Sequence, residues 1–263
     1  MRWVVVALMV SGISAAAQMN LISVDDEIQM GRQAQQQVKR AVPEITDRAV
    51  NAYFLRIGRR LVQRTTGPKY PYSFNVANYQ EINAFALPGG PVWVHRGAIA
   101  AADNEAQLAA VLAHEIAHIS QRHAADQISK QLVANGFIGL LGAMLGNVRS
   151  AETAQVGARI LAHGYLLKFS REHEREADAV GATIMRRAGW DAREMVVVLN
   201  ALAKQQASNP AALEIFLSSH PAPAERAERL RRTVKGGGTK DSAAFQQIKA
   251  RLGRMPAARR MRR

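Results

Sequence analysis

Two histidines four residues apart, with a glutamate directly after the first, lie in the stretch VLAHEIAHIS. In an α-helix, residues four apart share one face, so His114 and His118 can both direct an imidazole nitrogen at a single ion. Glu115 points about 100 degrees around the helix from His114, so it is not an equivalent ligand but can reach a water held by that ion. This pattern predicts hydrolysis: a zinc ion acidifies the water and polarises a carbonyl, and Glu115 moves the water's proton to the leaving amine.

The alternative interpretation is an ordinary amphipathic helix that happens to contain histidine. Apolar residues surround the motif, so its polar side chains are expected to be buried; they are Val111, Leu112, Ala113, Ile116 and Ala117. Burying two imidazoles and a carboxylate costs free energy unless they have a partner. Because the chain contains no cysteine, a metal would have to bind to His, Asp or Glu, and disulfides are excluded. The composition around the motif favours a metal site.

A catalytic zinc site usually has three protein ligands and one open position, so a third ligand is needed. The later stretch REHEREADAVG offers four carboxylates, Glu172, Glu174, Glu176 and Asp178. Helical spacing pairs Glu174 with Asp178, and Glu172 with Glu176. Either pair could place one carboxylate at the metal and a second one turn later, where it would accept a hydrogen bond from a histidine N–H. Spacing alone leaves both pairs open.

The elements that must position these residues follow from the hydrophobic pattern. Residues 43–65 have helical spacing, whereas residues 70–94 alternate or form short β-branched runs around a Gly-Gly turn, which predicts two or three strands. Nearly everything after Ile99 is helical in pattern, and one long helix that starts at Asp103 or Asn104 carries the histidines. The predicted fold is α+β and mainly α-helical, with a small β-sheet inserted before the histidine helix.

The first 17 residues are typical of a secretory signal peptide. Arg2 precedes an apolar run from Trp3 to Val10, and small residues precede a cleavage position after Ala17. A short membrane anchor is the alternative. Export, with the periplasm as the destination, is therefore expected.

The formal net charge of +14 is concentrated at the C-terminal end, where residues 226–263 contain 13 Lys and Arg against Glu228 and Asp241. Residues 236–263 are predicted to form a flexible basic tail with one short helix after the KGGG break. In an exported protein such a tail would meet anionic lipid or glycan rather than a specific nucleic acid, or it would simply be solvated. The apolar, glycine-containing stretch Leu132–Val148 is marginal as a membrane span. It is expected to be a buried helix or a membrane-facing amphipathic lid, and with the tail it suggests contact with a membrane surface.

The motif HEIAH, followed some 55 residues later by EREAD, resembles the gluzincin zinc metalloproteases of the CAAX prenyl protease, HtpX and BepA type. The resemblance implies a zincin-type domain over residues 18–235 with one zinc per chain. It implies His114, His118 and Glu174 as zinc ligands, Glu115 as the base, and Asp178 as the carboxylate that holds a ligand histidine. Glu176 falls inside the later motif and is not expected to bind the metal.

The resemblance extends to two further segments. NAFALPGGPVWV looks like the family's substrate-side strand, so the segment that comprises Asn83, Ala84, Phe85 and Ala86 is expected to pair with an extended peptide. SSHPAPAER resembles a His-Pro…Arg element, in which His220 and Arg226 would lie over the cleft and stabilise the oxyanion. Alternatively, His220 occupies the open zinc position in a resting state.

The remaining histidines, His95, His123, His163 and His173, are interpreted as surface residues or as local hydrogen-bonding groups. His123 lies nine residues after His114, two and a half helical turns further on, so it is expected to face away from the metal.

The chain departs from the family in two ways, since it shows neither the membrane helices of HtpX and the prenyl protease nor the helical repeats of BepA. The resemblance therefore implies a soluble, exported protease domain that cleaves unfolded or misassembled envelope proteins, including outer-membrane proteins, in protein quality control. A chaperone-like binding module with a structural or latent zinc site is the competing hypothesis.

Overall fold

The structure is a computed structural model that describes residues 21–134 and 168–261, with only the backbone for residues 132–134 and 212. The predicted signal peptide at 1–17, most of the stretch Leu132–Val148, and His163 lie outside the described residues. Within the described ranges the fold is mainly helical with one small sheet that precedes the histidine helix, which confirms the predicted fold class.

The first half of the chain supplies two helices and the sheet. The elements are α1 (Val24–Ala41), α2 (Arg48–Val62), β1 (Ser73–Ala77), β2 (Ala84–Ala86), β3 (Pro91–His95) and α3 (Arg96–Ala101). Ser23 and Asp26 form a capping box at the start of α1, and the Asp47 side chain accepts hydrogen bonds from two backbone N–H groups at the start of α2. Both helices thus begin where local side chains satisfy their free N–H groups.

The described sheet has the strand order β1–β3–β2, with β1 parallel and β2 antiparallel to β3. The predicted turn between β2 and β3 contains Gly89 and Gly90, whose φ angles are +70° and +132°. A Cβ on Gly89 would lie 2.4 Å from the carbonyl oxygen of Glu27, so only glycine allows α1 to pack against this turn. β2 lies at the edge of the sheet, and α4 packs against it.

The histidine helix is shorter than the sequence suggests. Instead of one long helix, the structure has α4 (Glu105–Ser120) and α5 (His123–Ala134), separated by a break at which Arg122 adopts a left-handed φ of 60°. Asn104 caps α4 and accepts a hydrogen bond from the backbone N–H of Gln107, as the pattern predicted. Because of this break, the side chains of α5 do not continue the helical positions of α4.

The second half of the described chain is helical. Its elements are α6 (Arg171–Arg187), α7 (Arg193–Ser208), a 3-10 turn (Pro210–Leu213), α8 (Glu214–Ser219), α9 (Pro223–Thr233) and α10 (Ala243–Arg254). α4 packs most extensively against α6 and also against α7 and α2, so that it lies at the centre of the main hydrophobic core. No helix among the described residues combines the length and apolar character needed to cross a membrane.

The short helix predicted within residues 236–263 is present, but the prediction that this segment is a flexible tail is wrong for its described residues. Helix α10 buries Phe245, Ile248 and Leu252 in the main core, because these residues recur at helical spacing on one face while the basic residues lie elsewhere. Backbone bridges pair Thr239 with Trp190 and Arg259 with Tyr79. The high charge of the segment concealed this apolar face.

We expect Phe245→Ala to lower the free energy of unfolding by roughly 3–5 kcal/mol, because it leaves a cavity at a fully buried position. Urea denaturation followed by circular dichroism measures this change. Gln247→Ala, at an exposed position of the same helix, is the control and should change stability by less than about 0.5 kcal/mol. Equal, small effects of both substitutions would show that α10 does not belong to the core.

Candidate metal centre

The close packing of α4 and α6 brings the two parts of the predicted site together. α4 carries His114 and His118 one turn apart, and α6 carries Glu174 and Asp178 one turn apart. At Gly181 on α6, an added Cβ would lie 3.1 Å from the carbonyl oxygen of Ala113, so this glycine allows the two helices to approach closely. The pair Glu174 and Asp178, rather than Glu172 and Glu176, faces the histidines.

Four buried side chains offer donor atoms that all lie within 4.8 Å of one another: His114, His118, Glu174 and His220. Nε2 of His118 lies 3.0 Å from Nε2 of His114 and 3.3 Å from Oε1 of Glu174. Nε2 of His114 lies 3.5 Å from Oε2 of Glu174. The structure therefore brings the three expected ligands to one point in the interior.

These donors fit a zinc ion. Tetrahedral zinc with bonds of about 2.0–2.1 Å to nitrogen and oxygen separates neighbouring donors by roughly 3.3 Å. This is close to the 3.0 Å between the two Nε2 atoms, and to the 3.3 Å and 3.5 Å that separate the Nε2 atoms of His118 and His114 from Oε1 and Oε2 of Glu174, respectively. Nδ1 of His220 lies 3.0 Å from Glu174 and 3.4 Å from His114, so it also has the spacing of a donor. Two imidazoles and one carboxylate are a typical donor set for a catalytic zinc site.

Glu115 is 1% exposed and lies beside this cluster, with Oε1 3.6 Å from Nε2 of His220. Its Oε2 makes no hydrogen bond within the described part of the chain. A buried carboxylate oxygen normally has a donor, so this atom is suited to a ligand or water that enters the site.

Arg226 differs from the expectation that it lies over the cleft. Its guanidinium is buried between the two carboxylates of α6, with Nη1 2.5 Å from Glu174 Oε2 and Nη2 2.7 Å from Asp178 Oδ1. Asp178 Oδ1 in turn lies 3.0 Å from Nδ1 of His114. The contacts of Arg226 are those of a residue that positions the carboxylates, because its guanidinium forms ion pairs with both of them.

Burial and neighbouring charges shift the ionisation of the cluster. Burial and the charge of Arg226 oppose protonation of His114, but hydrogen bonds to Asp178 and Glu174 outweigh them and raise its pKa to about 9. Burial would raise the pKa of Glu174, yet His220, Arg226 and the imidazole hydrogen bonds hold it well below its usual value. The pKa of Asp178 is likewise low, since Arg226 and His114 outweigh its burial. Both carboxylates are therefore ionised.

Sequence patterns did not identify the two residues that contact His118 on the side away from His114 and Glu174, namely Phe169 and His123. The ring of Phe169 stacks on His118 with centroids 3.9 Å apart, and Nδ1 of His123 lies 2.9 Å from Nδ1 of His118. The prediction that His123 faces away from the metal assumed one continuous helix, and the break at Arg122 makes it wrong. His123, His173 and His95 are buried rather than at the surface, and His123 and His173 make the local hydrogen bonds that were the predicted alternative. Helical periodicity in the sequence could not reveal these contacts. The contact with His123 depends on the break at Arg122, and the contact with Phe169 depends on a different segment of the chain.

The expected substrate strand lies in the sheet. Ala84–Ala86 form β2 at the sheet edge, and the carbonyl oxygen of Asn83 accepts a hydrogen bond from the N–H of His95. Ala84 and Phe85 are buried, while Ala86 is partly exposed. The segment is thus extended and packs beside the helix that carries the histidines.

Comparison with known proteins agrees with this arrangement. The family model described as Peptidase family M48 matches residues 48–234, the range that contains all the residues of the cluster. The chain belongs to peptidase family M48. The resemblance to gluzincin metalloproteases is thereby confirmed.

Several curated relatives are similar in sequence to this M48 chain over most of its length. The beta-barrel assembly-enhancing protease of Escherichia coli (strain K12) is 34% identical over 210 residues, which cover 78% of this chain and 43% of the relative. The protein of the same name from Yersinia pestis is 34% identical over 220 residues, covering 82% and 44%. Mitochondrial metalloendopeptidase OMA1 of Schizosaccharomyces pombe is 30% identical over 224 residues, covering 83% and 64%. The M48 chain spans less than half the length of these two bacterial relatives.

We expect the purified M48 chain to bind one zinc, and Glu174→Gln to weaken zinc binding strongly, because the substitution removes a charged donor from the cluster. Competition with a chromophoric chelator measures the affinity. Glu172→Gln changes an exposed residue of the same helix and should bind zinc like the wild type. Equal zinc affinity in both variants would exclude Glu174 as a ligand.

Proposed function

We propose that this protein is a zinc-dependent endopeptidase that cleaves unfolded or misassembled envelope proteins in the periplasm. The observation that carries the proposal is the convergence of His114, His118 and Glu174 on one buried point beside Glu115. Membership of peptidase family M48 supports the reaction class. One zinc per chain is the expected cofactor, held by the same three side chains.

Zinc, when bound, supplies Lewis acidity that polarises the scissile carbonyl and lowers the pKa of water. Glu115 acts as the general base, since its Oε2 lacks a hydrogen-bond partner within the described chain and can accept the proton of the attacking water. The same carboxyl group then gives that proton to the leaving amine. Asp178 accepts the Nδ1–H of His114 and fixes its tautomer, which leaves Nε2 of His114 free to bind the metal.

We infer that His220 regulates access to the reacting atoms. Its Nδ1 lies 3.0 Å from Oε1 of Glu174 and 3.4 Å from Nε2 of His114, so it would serve as a fourth donor to a bound metal in a resting state. Displacement of this ring by substrate would place an imidazole beside the carbonyl, where it can stabilise the oxyanion. His220 follows α8 and precedes Ala222, whose φ is 56°, and this non-helical link joins α8 to α9.

An extended polypeptide is the proposed substrate. β2 lies at the edge of the described sheet and packs against α4, so a peptide that adds to the segment Asn83–Ala86 would run beside the cluster. Backbone pairing of this kind requires unfolded or flexible chain rather than a folded surface. The name of the bacterial relatives, beta-barrel assembly-enhancing protease, supports outer-membrane proteins as substrates. We also propose contact with a membrane surface through the apolar stretch Leu132–Val148 and the basic C-terminal segment, as the sequence suggests.

A chaperone-like binding module with a latent zinc site is the second candidate, and the position of His220 favours it. A ring that remained permanently at the fourth donor position would exclude water from the metal. The two candidates differ in their response to loss of the base at position 115 and to loss of the imidazole at position 220.

Glu115→Gln should reduce casein cleavage at least about 100-fold, because it removes the general base, while zinc content remains at the wild-type level. Cleavage assays with and without a chelator, together with metal analysis, test this expectation. The exposed substitution Glu172→Gln serves as the control for cleavage. Undiminished cleavage by Glu115→Gln would exclude the proposed mechanism.

His220→Ala distinguishes a resting-state donor from a group needed only during the reaction. If the ring blocks the fourth position, its removal should increase cleavage by the otherwise wild-type protein. A loss of roughly 10²–10³ in kcat would instead indicate that oxyanion stabilisation dominates. If cleavage is absent from the wild type and from His220→Ala, although both bind zinc, the endopeptidase proposal is wrong and the binding module is favoured.

A further inference from the structure

The two ring nitrogens of His118 have different surroundings. Nε2 faces the cluster, at 3.0 Å from His114 and 3.3 Å from Glu174, whereas Nδ1 faces Nδ1 of His123 at 2.9 Å. A hydrogen bond between two imidazole nitrogens requires a proton on one of them and a lone pair on the other. The tautomers of His118 and His123 are therefore linked.

The second nitrogen of His123 decides the direction of this link. Its Nε2 lies 3.2 Å from Oε2 of Glu176, and an ionised carboxylate only accepts hydrogen bonds. A neutral His123 therefore carries its proton on Nε2 and presents a lone pair at Nδ1. His118 must then carry its own proton on Nδ1, which leaves its Nε2 with a lone pair directed at the cluster.

The fold holds His123 in this orientation by several contacts. Arg122 has a left-handed backbone, and its side chain binds Oε2 of Glu27 at 2.9 Å and the carbonyl oxygen of Ile22 at 2.5 Å. This link anchors the start of α5 to α1. The ring of His123 also stacks on His173 at 4.4 Å, with an interplanar angle of 15°.

His173 itself is held by Oδ2 of Asp126, which lies 2.8 Å from its Nε2. His123 is fully buried, so solvent does not compete with His173 for contact with its ring. His173 packs on His123 without a hydrogen bond to His118, so a substitution that removes its imidazole but keeps a stacking ring, His173→Phe, is a matched control for the loss of a buried imidazole.

We propose that His123 is a positioning residue for the metal centre, which with Glu176 fixes the tautomer and ring orientation of His118 so that Nε2 is free to bind zinc. The inference rests on the proposed function, because it concerns the same zinc site. Asp178 supports His114 directly through its carboxylate. For His118, the imidazole of His123 has the corresponding position, and the carboxylate of Glu176 in turn contacts His123. Partners of this kind typically change metal affinity by about 10- to 100-fold.

Zinc affinity of the purified protein, measured by chelator competition, tests the proposal. His123→Leu should weaken zinc binding about 10- to 100-fold, because it removes the acceptor for the Nδ1–H of His118. His123→Asn places an amide oxygen where Nδ1 was and should recover affinity to within about 3-fold of the wild type. His173→Phe should also stay within about 3-fold, since it keeps a ring that can stack on His123 and His173 makes no hydrogen bond to His118 among the described residues.

A measurement on the wild type keeps the proposal testable if His123→Leu does not fold. In the zinc-loaded protein labelled with ¹⁵N at histidine, Nδ1 of His118 and Nε2 of His123 should resonate as protonated nitrogens, and Nδ1 of His123 as an unprotonated acceptor. The opposite assignment overturns the proposal.

Three affinity results would also overturn it: wild-type affinity in His123→Leu, no recovery in His123→Asn, or an equal loss in His173→Phe. Any of these would leave the zinc endopeptidase proposal intact. A wild-type protein that binds no zinc would overturn both proposals, so the two failures are distinguishable.

Discussion

The burial of charge between α4 and α6 is the constraint on which the rest of the structure depends. The site contains three buried carboxylates, those of Glu115, Glu174 and Asp178, and one buried guanidinium, that of Arg226, which forms ion pairs with Glu174 and Asp178. With neutral imidazoles this leaves an excess of two negative charges, which a divalent cation would balance. The raised pKa of His114 agrees with this excess of negative charge, because a proton on His114 offsets part of it. Metal binding would displace that proton.

The segments around α4 hold this charged site in place. At the start of α4, the buried carboxylate of Glu105 accepts hydrogen bonds from the hydroxyl of Tyr53 at 2.9 Å, from Nε1 of Trp190 at 3.0 Å, and from the hydroxyl of Ser242. A negative charge there also interacts favourably with the helix dipole. The C-terminal segment, through Ser242 and α10, thus helps to position the helix that carries the metal donors.

At the other end of α4, the N-terminal helix performs a similar task. Glu27 on α1 accepts hydrogen bonds from Tyr70 and from Arg122, the residue at which the backbone breaks. A left-handed conformation of a residue other than glycine costs free energy and persists only when its surroundings hold it. The break is therefore determined by tertiary contacts, and it turns His123 back towards His118.

The sequence by itself determined the motif chemistry and the class of fold. The spacing of His114, Glu115 and His118 reflects a helical period, and the alternating and β-branched runs before it predicted the sheet, because both patterns are local. The sequence could pair carboxylates on a later helix, but only the packing of α4 on α6 decided that Glu174 and Asp178 face the histidines. Tertiary structure alone also decided the positions of Arg226, His123 and α10. Each depends on contacts between residues distant in sequence. The left-handed backbone of Arg122 has no periodic signature in the sequence, and the apolar face of α10 is hard to recognise among its many charged residues.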